Sequence, residues 1–282
     1  MKRGRQDLIL VVLIVAFLGF AAAGETRLVG WWGGRTLEQR MADHPQPPLY
    51  PATTVARAGH LIDPEAARAH ALMARFWQQS RTAKPHDDKF MTWAASAFPV
   101  TPDADAAQPA ATATSHAGNV AAAWLHNHGT YDVWMLAADK HAGTVHPADL
   151  KDATATAISL ATQLSDTLRD QLRTQSTTVP TPTPTPTTGR TTGEAAADGP
   201  HVPPFPFPAR EEAAAAAARG VLAALDTGDS ATYVDLERQV AWSRLYTRTL
   251  SPADIGMGAL LGDMVAEYVL ATRGGLTPDQ MG

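Results

Sequence analysis

From Pro180 to Pro186 a proline stands at every second position, with threonine between. Each proline removes a backbone donor and fixes φ. The stretch can be neither helix nor interior strand, and an extended polyproline II path remains. The fold must therefore be built from the two flanks. Upstream, Leu150, Ala157, Leu160, Leu164, Leu168 and Leu172 recur at three-, four- and seven-residue spacings and predict a long helix from Pro147 to Arg173. Downstream, Ala209 to Leu225 is nearly polyalanine, with Glu211 and Glu212 in its first turn, where carboxylates suit the helix dipole. Ala231 to Thr247 and Pro252 to Arg273 predict two more helices, the second holding Gly256, Gly258, Ala259 and Gly262 for close packing. Nearer the N-terminus, Asp63 as N-cap and Pro64 at the first helical position predict a helix running to about Arg81. Ala117 to Leu125 and Tyr131 to Lys140 are helical in pattern, broken at His128-Gly129, and Phe98 to Ala113 predicts a loop. No strand alternation stands out. The expected class is all-α, a single multi-helix bundle domain.

With 282 residues, 45% hydrophobic and 18% charged, the chain can bury a sizeable core. A net charge of -5 argues against a general nucleic-acid binder. The absence of cysteine excludes disulfides, zinc-thiolate sites and a cysteine nucleophile. At the N-terminus, Lys2, Arg3 and Arg5 precede sixteen largely apolar residues, Leu8 to Ala23, which end in Ala21-Ala22-Ala23. That order reads as a secretory signal cleaved after Ala23. Sixteen residues fall short of the roughly 20 that span a bilayer. The expected location is the periplasm or the exterior, and the alternative is a membrane anchor left uncleaved. No later segment is expected to cross a membrane. After residues 1–23 come an irregular arm over 24–59, the helical domain over 60–273, and a tail over 274–282. The Thr/Pro-rich stretch 178–208 is a loop in that domain or, by composition alone, a linker.

One downstream run carries a motif. Trp242-Ser243-Arg244-Leu245-Tyr246-Thr247-Arg248-Thr249-Leu250-Ser251-Pro252-Ala253-Asp254 is followed by Gly258 and Gly262. It resembles the third signature of the type 2 phosphatidic acid phosphatase / vanadium haloperoxidase superfamily: arginine, five residues, histidine, three residues, aspartate. Arg244 and Asp254 match, and Leu250 takes the histidine position. Upstream, the family opens an alanine-rich helix with Pro-Ser-Gly-His. Here the helix is present and Glu211 takes the histidine position, 33 residues before Arg244. The first signature, lysine, six residues, Arg-Pro, aligns with Arg169 and Ser176-Thr177. The secreted class A non-specific acid phosphatases are the nearest subfamily in export, length and helical content.

The resemblance implies a phosphomonoester hydrolase in which the third-signature histidine attacks phosphorus, the aspartate orients it and the second histidine protonates the leaving group. Arg169 and Arg244 would hold the phosphoryl oxygens of a phosphate-containing small molecule. Leu250 has no lone pair for attack or for holding vanadate, so no cofactor and no metal is expected at these positions. Glu211 could donate a proton, and Ser176 cannot replace a guanidinium fork. The reading is therefore a weak or inactive hydrolase, with a pseudoenzyme acting as a binding or structural module as the alternative. Plainer roles stand beside each residue. Ser251-x-x-Asp254 is a capping box. Arg244 shares a helix face with Val240 and Leu236 and is expected to pair with a carboxylate, Asp254 or Glu211. Glu211 suits a first helical turn. A rival site gathers His116, His126, His128, His141 and His146 with Asp132 and Asp139, types that ligate metals. His126 and His128 cannot share a helix face, however, and no H-E-x-x-H pattern is present.

Overall fold

A computed structural model describes residues 36–80, 85–98, 115–140, 147–178 and 208–274. Every regular element among them is a helix, so the all-α expectation holds. The chain divides into two units, Met1–Pro45 and Gln46–Gly282. Within the first, α1 (Leu37–Asp43) opens with a capping box between Thr36 and Gln39 and buries none of its side chains. The signal-like segment, the Thr-Pro run, the Phe98–Ala113 loop beyond Phe98 and the tail after Gly274 lie outside the described residues.

The second unit contains α2 (Ala52–Gln79), α3 (Asp87–Ala97), α4 (His116–His128), α5 (Asp132–Lys140), α6 (Pro147–Thr178), α7 (Arg210–Leu225), α8 (Ser230–Tyr246) and α9 (Pro252–Thr272). Two expectations need correction here. The region read as an irregular arm over 24–59 holds α1 and the first turns of α2. Moreover, Asp63-Pro64 is not a helix start: Pro64 lies inside α2. The buried stripe Val55, Ala58, Ile62, Ala69, Met73 and Phe76 runs through it. An amphipathic stripe that packs on both sides of a proline outweighs the one hydrogen bond that proline removes.

At the centre lies α9, buried almost all round from Ile255 to Leu270. It packs on α7, α2 and α6, while α7 also packs on α6 and α8. Ala213 to Ala218 of α7 are all buried, which only a helix of small side chains allows at such close range. A Cβ on Gly258 would stand 2.7 Å from the Ala209 carbonyl oxygen and 2.9 Å from Glu212 Cβ. A Cβ on Gly262 would meet the Ala213 carbonyl oxygen and Ala216 Cβ. At the far end of α9, Tyr268 stacks on Phe90 at 4.1 Å and seats α3. The sequence reading left no later membrane-length segment, but by length and hydropathy α9 qualifies as one; 78% of that apolar window is buried inside the unit.

Candidate functional site

Two helix starts meet at one end of the bundle. The Ala209 amide, just ahead of α7, donates to the Asp254 carbonyl oxygen in the first turn of α9 at 3.0 Å. Asp254 itself completes the expected capping box. Its Oδ2 accepts from the Ser251 amide and from the Ser251 hydroxyl, each at 2.8 Å, and its own amide donates to Ser251 Oγ at 3.1 Å. The connection from α8 passes through Arg248, a non-glycine residue at φ 56. Just before α9 it contains the half-buried Leu250.

Arg244, in the last turn of α8, is 4% exposed. Its expected partner was a carboxylate, Asp254 or Glu211, and the structure corrects this: its Nη1 contacts Nδ1 of His126 in α4. A guanidinium only donates, so Nδ1 accepts and the ring proton sits on Nε2. Asp254 is instead committed to Ser251. Nε and Nη2 of Arg244 are buried with no hydrogen-bond partner among the described residues. Burial lowers the pKa of this guanidinium, and the nearby charges of Glu211 and Glu212 oppose that shift.

Glu211, which the resemblance would put at a histidine position, is half-buried. Glu212, which sequence reasoning treated only as a first-turn acid, is the buried one: it is 0% exposed and neither carboxyl oxygen has a hydrogen-bond partner among the described residues. Burial, and then the charge of Glu237, hold its carboxyl well above the usual carboxylate range, against the pull of Arg219. Behind it, Arg219 Nε donates to Glu237 Oε2 at 2.8 Å, and Arg219 Nη2 donates to Asp263 Oδ1. Sequence reasoning missed this cluster as well. A signal was present: Glu212 and Arg219, like Glu237 and Arg244, are spaced seven apart within one helix, which places each pair on one face.

Arg169 is half-buried on α6, one turn beyond Ser165, whose hydroxyl donates to the Pro208 carbonyl oxygen at 2.9 Å. It makes no hydrogen bond or ion pair with Glu211, Arg244 or Asp254. The side chains of Ser176 and Thr177 lie outside the described residues. So Arg244, Glu211 and the Asp254 cap are gathered at one end of the bundle, with the turn carrying Leu250 between α8 and α9, while Arg169 is not joined to them by any polar contact.

The rival histidines separate. His126 is on Arg244, and His128 Nδ1 is 2.9 Å from Asp132 Oδ2. His141 and His146 lie outside the described residues, among which no three potential ligands come together. No family model, no curated protein and no solved structure matches the chain.

Proposed function

We propose that the chain is an exported helical protein of the acid-phosphatase type in which hydrolysis has been lost or reduced to a trace, leaving a binding or structural module. The supporting observation is that a buried arginine, a first-turn glutamate and a capped aspartate gather at one bundle end, and that the residue aligned with the nucleophile is Leu250. A phosphoryl group needs an attacking lone pair and several donors around its oxygens. Here the attacking group is a hydrocarbon. The buried guanidinium of Arg244 already touches His126 and sits in the field of two glutamates. A phosphate dianion would meet that negative field, so its binding is expected to be weak.

The test is a phosphomonoesterase assay with an aryl phosphate on the mature protein. Wild type should give no turnover above background. Leu250→His should give a small gain that Arg244→Ala abolishes. Strong wild-type turnover lost on Arg244→Ala would show a working enzyme and defeat the reading. Turnover indifferent to Arg244→Ala would place the chemistry elsewhere.

A further inference from the structure

The seven-residue spacings on α7 and α8 meet crosswise. Arg219 of α7 bonds Glu237 of α8, and Arg244 of α8 is coupled through its charge to Glu212 of α7. The two halves are unequal. Arg219 holds two carboxyl groups, those of Glu237 and Asp263, whereas Glu212 hydrogen-bonds to nothing among the described residues. One oxygen of Asp263 is likewise buried without such a partner. Glu212 is 0%, Glu237 2% and Asp263 5% exposed. Three buried carboxyl groups therefore lie between α7, α8 and α9 with one guanidinium, that of Arg219, hydrogen-bonded to two of them. Full ionisation would leave excess negative charge out of water, where an uncompensated charge is most costly.

We propose that Glu212, Arg219, Glu237 and Asp263 form a proton-dependent latch that fastens α7 to α8 and α9. The latch is firm while the cluster keeps a proton and loosens as that proton leaves. It does not rest on the phosphatase reading of the Arg244 end of the bundle.

The surrounding charges reinforce this. On α9, Glu267 lies one turn beyond Asp263 and adds to its negative field. From α2, His70 Nδ1 stands 3.2 Å from Glu267 Oε1, and Glu65 is held by Arg68 at 2.8 Å. From α8, Arg244 offsets Glu212 only in part, since burial weakens it and Glu211 shares its charge. α6 turns Ser165 and apolar side chains toward α7; its Asp166 pairs outside with Arg210, and Arg169 makes no polar contact with the cluster. The acids of α5 are engaged elsewhere, Asp132 with His128 and Asp139 with Lys151.

Burial pushes the Asp263 carboxyl up to about 7; Arg219 opposes the shift and Glu237 adds to it. Glu212 moves in the same direction. A carboxyl group raised in the folded state binds its proton more tightly there than in the unfolded chain. Its stabilisation is complete below the ordinary value, which is 3.8 for aspartate, and is lost as pH rises to about 7. One retained proton changes the folded-to-unfolded ratio about tenfold per pH unit across that window.

The experiment is urea unfolding of the full mature chain from about pH 5 to about pH 8.5. The wild-type midpoint should fall as pH rises to about 7 and then level. Glu212→Gln with Asp263→Asn should flatten the slope, and His70→Gln should leave it intact. If the double variant does not fold, infrared spectra of the wild type give a second reading: a protonated-carboxyl band present near pH 6 and lost by about pH 8.5. Wild-type stability that is constant or rising between pH 5 and 7 would overturn the latch. So would a double variant that keeps the wild-type slope, a slope that disappears in His70→Gln, or the absence of that band.

Discussion

Asp254, which the sequence resemblance would make a positioning aspartate, is employed by its own helix. Its carboxylate accepts two bonds from Ser251 and its carbonyl holds the Ala209 amide at the start of α7. Asp254→Ala should therefore cost about 1 kcal/mol in urea unfolding, the ordinary worth of an N-terminal cap, while Asp254→Asn should cost much less. An alanine variant as stable as wild type would mean the cap carries no weight. The capping role could be read from four consecutive residues because its geometry is local. The partner of Arg244 could not: His126 is 118 positions away and comes from a helix whose placement depends on the whole bundle. Glu212 eluded sequence reading for the same reason. Two adjacent glutamates in a first turn look alike until the packing of α8 and α9 buries one and leaves the other half-exposed.

Among the elements, α7 and α9 form the tightest pair, and glycine and alanine make it so. Gly258 and Gly262 of α9 face backbone atoms of Ala209 and Ala213 at distances no side chain could share. Gly262→Ala should destabilise the protein by about 2 kcal/mol through overpacking, read as a lower unfolding midpoint at neutral pH. Gly228→Ala is the control: its Cβ would make one ordinary contact at 3.6 Å, and the midpoint should hardly move. Equal effects at both glycines would mean that the seam is loose. Helix existence was readable for α2 and for α4 to α9, because apolar spacing and alanine content are properties of a single helix; the short α3 was not foreseen. Helix limits were less so. Asp63-Pro64 has the local chemistry of a start, yet α2 runs from Ala52, since Val55, Ala58 and Ile62 continue the stripe that Ala69, Met73 and Phe76 bury. A terminus signal of two residues lost to a packing face about six turns long.

For the whole molecule, the open question is where membrane affinity resides. Two apolar segments compete, Leu8–Ala23 and α9. At 1.5 Å per residue the sixteen residues of the first reach about 24 Å, short of a hydrocarbon layer of about 30 Å, while the 21 residues of α9 reach about 31 Å. Length alone favours α9. Its chemistry does not, because Asp263 stands in mid-helix bonded to Arg219, and an aspartate at the bilayer centre costs about 3 kcal/mol on insertion scales. Its surface is also in use, since α7, α2 and α6 already cover it. The expected outcome follows from that contrast. Protein made without residues 1–23 should remain in the soluble fraction through an alkaline carbonate wash. The full chain should be recovered outside the cytoplasm with Gly24 as its first residue. A chain beginning at Met1 in the membrane fraction would make the N-terminal segment an anchor. If the shortened protein still sediments with membranes, α9 is their ligand. The seam that joins it to α7 would then have to open in lipid, exposing Asp263 and Glu212 where neither could keep its charge.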